Sequence, residues 1–86
     1  MHPTIFVAIA SYRDPECQFT IRDLFTKAAH PERVRVGVCW QYDPDKDRDC
    51  FIVPPPYPAQ TRELRYLSWE SKGGSWARAQ ALSLWE

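Results

Sequence analysis

The sequence has no excess of either charge: 11 Lys and Arg stand against 11 Asp and Glu, and the formal net charge is zero. That removes the global basic field that holds a nucleic acid or an anionic membrane, so neither is expected as a partner and any anion site must be local. Long apolar runs are also missing. The longest, Ile5 to Ala10, is far short of the roughly 18 residues a membrane span needs. Cysteine is sparse: Cys17, Cys39 and Cys50 form no C-x-x-C pair and have no His-rich companion segment, which argues against zinc. An odd number of cysteines closes no disulfide framework, and no charged, apolar, small-residue leader precedes the first strand-like run. Free thiols in a cytoplasmic setting are therefore expected. There is no internal repeat, and no low-complexity tract apart from one proline run.

What is present suits a packed interior. The 86 residues are 44% hydrophobic and 14% aromatic, enough for one small domain or a piece of a larger one. Ile5 to Ala10 is continuously apolar and partly β-branched, which predicts a strand buried on both faces. Asp14-Pro15-Glu16 then supplies an N-cap side chain, a proline at the first helical position and an acid in the first turn. Cys17, Ile21, Leu24, Phe25 and Ala28 form one stripe of a 3.6-residue period, ended by His30-Pro31, where His30 would favour the helix end. His2 has no partner at a recognisable spacing. Val34 to Trp40 alternates as a second strand, completing a βαβ unit with its ligand edge at the strand C-termini. Leu64 to Trp69 is compatible with a third strand, and Ser75 is a plausible N-cap for a helix over Trp76–Trp85. No C-cap glycine or charged last turn follows, so the helix end is expected to lack partners and the chain to be a piece of something longer.

Three patterns invite chemistry. Asp43-Pro44-Asp45-Lys46-Asp47-Arg48-Asp49 alternates carboxylates, but an EF-hand starting at Asp43 or Asp45 would put Arg48 or Cys50 where Gly is required and Pro54 or Pro56 where Glu is required. A solvated, self-neutralised loop is expected there, and an Asp-x-Asp metal reading is set aside on the same ground. Pro54-Pro55-Pro56-Tyr57 matches the Pro-Pro-x-Tyr pattern of polyproline ligands, which keeps a non-enzymatic interaction module as the alternative; a rigid strap with Tyr57 packing is the plainer expectation. Arg13 follows the first strand and Arg78 lies in the first turn of the last helix behind Gly73-Gly74. If the sheet is parallel, both reach one edge, where helix amides and guanidinium groups suit a phosphate or diphosphate, although Arg13 could instead pair with an acid such as Asp14.

The segments Ile5 to Cys17, Thr20 to Phe25, Val36 to Gln41, Asp49-Cys50-Phe51 and Gly74-Ser75-Trp76-Ala77-Arg78, in that order, resemble the cytosolic hydroxyproline-directed N-acetylglucosaminyltransferases and their relatives. The resemblance implies an α/β fold: residues 1–86 as the N-terminal half of a GT-A, Rossmann-like nucleotide-diphospho-sugar transferase, with a mostly parallel sheet and flanking helices. It implies that Ala10, Ser11, Tyr12 and Arg13 line the uridine and ribose pocket, that Gln41 and Asp43 complete the base side, and that Arg78 faces the diphosphate of a UDP-GlcNAc-type donor. Where the family commonly shows Gly-Pro-Cys-Trp-Ala-Arg, this chain has Gly73-Gly74-Ser75-Trp76-Ala77-Arg78. The resemblance further implies a divalent cation, manganese or magnesium, held by an acidic motif beyond Glu86. The acceptor, a protein hydroxyl or a related group, would also be bound there, so these 86 residues are expected to bind no metal and to be inactive alone.

Overall fold

The computed structural model describes residues 3–85; His2 and Glu86 lie outside the described residues. Strand β1 (Ile5–Tyr12), helix α1 (Cys17–Thr26), strands β2 (Val34–Tyr42) and β3 (Thr61–Leu67) and helix α2 (Gly74–Ser83) follow in that order, with short 3-10 turns between them. The sheet order is β1-β2-β3 and both pairings are parallel: Ile5 lies opposite Val34, and Val36 opposite Thr61. Successive residues of a strand face opposite sides, and β2 uses this fully. Val34, Val36, Val38 and Trp40 pack with Cys17, Ile21 and Phe25 of α1, while Cys39 meets Ala77 and Ala81 of α2 on the other side. The two helices therefore cover opposite faces.

The α2 face is built from small residues. Ala8 and Ala10 of β1 pack against Ala77, Ala81 and Cys39, and a β-carbon on Gly37 would stand 2.5 Å from the Ala81 carbonyl oxygen. Only glycine lets the helix come this close. At the far end of α2, Arg62 of β3 donates to the Leu84 carbonyl at 2.7 Å and stacks on the Trp85 ring, whose Nε1 donates to Val36 O at 2.8 Å. The expectation of an uncapped helix end is thus corrected: the cap comes from another strand rather than from the local sequence.

Several boundaries differ from expectation. The first helix begins at Cys17, because Asp14 uses its Oδ1 on the Glu16 amide to shape a preceding turn. It closes at Thr26, so His30 sits beyond it and faces Glu32 at 3.4 Å instead of capping it. β1 has helices on both faces, yet most of it is half-buried, since it lies at one edge of the described sheet. β3 starts three residues early, at Thr61. The N-cap of α2 is Gly73, not Ser75; its φ of 102° and ψ of 171° belong to a region open essentially to glycine alone. Among the described residues no helix is long and apolar enough to cross a membrane.

Candidate functional site

Parallel strands bring the ends of β1, β2 and β3 to one edge, and α2 starts beside them, since Ser71, just before it, donates its hydroxyl to the Gln41 side chain. Gly73 N donates to Ser71 Oγ at 3.2 Å, and Ala77 N makes the first helical bond, to Gly73 O. The amides of residues 74–76 are thereby left at the edge without helical partners, the partial positive charge of a helix start.

Each residue singled out in the sequence has a definite place. Ala10 sits inside the sheet under α2, where its small size admits the helix. Ser11 points to the opposite, α1 face; its hydroxyl is buried without a hydrogen bond of ordinary geometry, close to the Cys17 thiol. Tyr12 is 57% exposed at the end of β1. Arg13 leaves the strand at φ 50°, with its amide donating to Gln41 O at 2.7 Å. Gln41 is buried: its Nε2 donates to Ser11 O at 3.2 Å while its Oε1 accepts from Ser71, so the side chain locks the three loops together. Asp43 is half-buried and closes a turn, its Oδ1 accepting from the Asp45 and Lys46 amides at 2.9 and 3.2 Å. Arg78 is exposed in the second turn of α2, not the first, and no ion pair engages it among the described residues. Because Ala77 faces the sheet and Trp76 stacks edge-on to Tyr66 of β3, Arg78 projects from the opposite flank, toward β1.

Two residues at this edge were not foreseen. Trp69, in the turn after β3, is 67% exposed. Asp47 overturns the picture of a fully solvated acidic loop: it is 8% exposed and binds Arg13 Nε at 2.8 Å and the Asp43 amide at 2.8 Å. The Arg13 hydrogen bond, and then the Asp43 amide, hold the Asp47 carboxyl below the usual aspartate range. Arg13 therefore pairs with Asp47, not Asp14. The position of Trp69, just past the carboxyl end of a strand, could have flagged it. No local signal joins Arg13 to Asp47 across 34 residues.

The proline segment is a strap. Gln18 of α1 anchors its start, accepting from the Ile52 and Val53 amides and donating to Pro15 O and Asp49 O. Gln60 anchors its end on Pro31 O and Val34 O, and the Tyr57 ring packs 5.2 Å from that of Phe25. A cavity of about 370 Å³ lies under the strap on the α1 face, among Trp40, Phe51, Pro54 and Pro55. Gln18 lines it, but none of Ala10, Ser11, Tyr12, Arg13, Gln41, Asp43 or Arg78 does, and its Glu63 is satisfied by Trp40 Nε1 and Arg65. Among the described residues no three His, Cys, Asp or Glu side chains are grouped to hold a metal ion.

Three parallel strands with helices on opposite faces, and a helix start at their carboxyl edge, define a small α/β protein of Rossmann-like layering. The model of the family described as Glycosyltransferase (GlcNAc) matches residues 4–66, and the chain belongs to that family. The match runs from β1 almost to the end of β3, and leaves α2 with Arg78 outside. Comparison with curated proteins and with solved structures returned no match in either.

Proposed function

We propose that these residues form the donor side of a GT-A-type N-acetylglucosaminyltransferase, binding the nucleoside diphosphate of a UDP-GlcNAc-type sugar at the carboxyl edge of the sheet. One observation carries this reading: α1 and α2 cover opposite faces, while the ends of β1 and β2 and the start of α2 meet at one edge. Open α/β sheets take nucleotides at the carboxyl ends of their strands. Free amides at the start of α2 suit phosphate oxygens, and Arg78 adds an uncompensated guanidinium on the same helix. Tyr12 and Trp69 offer exposed rings at the edge for a base or ribose.

In glycosyl transfer the departing diphosphate gains charge, and arginines with helix amides stabilise it where it develops. In this reading the metal motif, the protein hydroxyl acceptor and any catalytic base belong to a longer chain, and the 86 residues alone hold donor without turning it over. Titration calorimetry of the chain with UDP, UDP-GlcNAc and ADP tests this. Binding of both uridine ligands in preference to ADP, weakened about ten-fold by Arg78→Ala, is expected. No uridine binding, or binding indifferent to Arg78→Ala, would refute it.

A further inference from the structure

The donor reading leaves Asp47 unused. Its neighbours Lys46 and Arg48 are exposed, whereas Asp47 turns inward to a loop 34 residues away in sequence. Its Oδ2 accepts from Arg13 Nε at 2.8 Å and from the Asp43 amide at 2.8 Å, and its Oδ1 stands 3.4 Å from Arg13 Nη2. Among the described residues Arg13 is the one non-glycine at positive φ. Such a conformation persists only where its surroundings over-determine it, and it concentrates at ligand sites. Two bonds supply that determination: the Arg13 amide to Gln41 O at 2.7 Å and the side-chain fork on Asp47.

A guanidinium has five N–H donors. Asp47 engages those on one side, Nε and one on Nη2, and leaves both Nη1 donors and the second Nη2 donor uncommitted on a side chain that is 40% exposed. At φ 50° glycine or asparagine sits more easily than arginine, so the conformation has to be held by its partners. We propose that Asp47 is a positioning residue: it fixes Arg13 in its left-handed conformation so that the open side of the guanidinium meets a phosphate oxygen of the nucleoside diphosphate. The proposal rests on the donor reading above and adds a residue from a different loop to that site.

Titration calorimetry of the 86-residue chain with UDP, and with uridine as a ligand lacking phosphate, separates the two. Asp47→Asn and Arg13→Ala should each weaken UDP about ten-fold, the double variant should be no weaker than Arg13→Ala alone, and uridine affinity should hold within two-fold. Should Asp47→Asn lose its fold by circular dichroism, Asp47→Glu carries the test, with a smaller loss confined to UDP. Failure of the unaltered chain to bind UDP or uridine overturns the donor reading and this proposal with it. Normal UDP binding that Asp47→Asn leaves intact, losses that multiply in the double variant, or equal loss of uridine overturns the positioning role alone.

Discussion

The Arg13 to Asp47 pair also sets a pH dependence. The folded carboxyl is depressed, by the Arg13 hydrogen bond first and the Asp43 amide second, whereas in the unfolded chain it titrates at about 3.9. Its stabilisation is therefore complete above that unfolded value and is lost as pH falls through the lower folded one. Urea midpoints should drop below about pH 4, and Asp47→Asn should blunt that drop; identical acid profiles would count against the pair. A second single-residue test concerns Gly73, at φ 102° with open space around its missing β-carbon. Gly73→Ala should cost about 1–3 kcal/mol in chemical denaturation through backbone strain alone. The sequence points to Arg13 and Gly73 as edge residues, but not to their conformations. Asp47 is hidden among four alternating carboxylates, and only the folded chain selects the one that turns inward.

At the level of elements, α1 and α2 hold the sheet by different means, so their failures should differ. Phe25 is the large side chain of the α1 layer, 1% exposed and in ring contact with Tyr57. Phe25→Ala should cost about 3–5 kcal/mol, a large part of the 5–15 kcal/mol typical of a domain. Gly37→Ala should cost about 1–3 kcal/mol by pushing α2 away from the sheet at Ala81, and should shift Trp85 fluorescence even where the chain remains folded. β1, α1 and β2 are legible in the sequence because burial on one or both faces imposes a clear period. β3 is blurred: Arg62 caps α2, Glu63 receives the Trp40 indole and Arg65 covers Phe51, so tertiary partners interrupt its apolar alternation. The start of α2 is displaced because a glycine in a conformation of its own outcompetes the serine two residues later.

For the molecule as a whole, Cys17, Cys39 and Cys50 are all buried and free. Burial pushes the Cys17 thiol up to about 11, the Ser11 hydroxyl opposing it in part, and raises Cys39 and Cys50 as well. A disulfide reagent at pH 8 should modify none of the three in the folded chain and all three in denaturant; rapid labelling of the native state would contradict the packing. The unfolded thiols ionise from the ordinary value of 9.0 while the folded ones stay protonated, so stability should fall as pH rises above it. The parallel sheet has a further consequence, for the order of events when the chain forms. Among the described residues it contains no hairpin: Ile5 waits for Val34, Val36 waits for Thr61, and Trp85 reaches back to Val36. Among the described strands, β1 therefore has no partner until β2 has been made. Helix α2 then covers a face of a sheet that loop closure has already made slow to assemble, on a scale nearer milliseconds to seconds than microseconds.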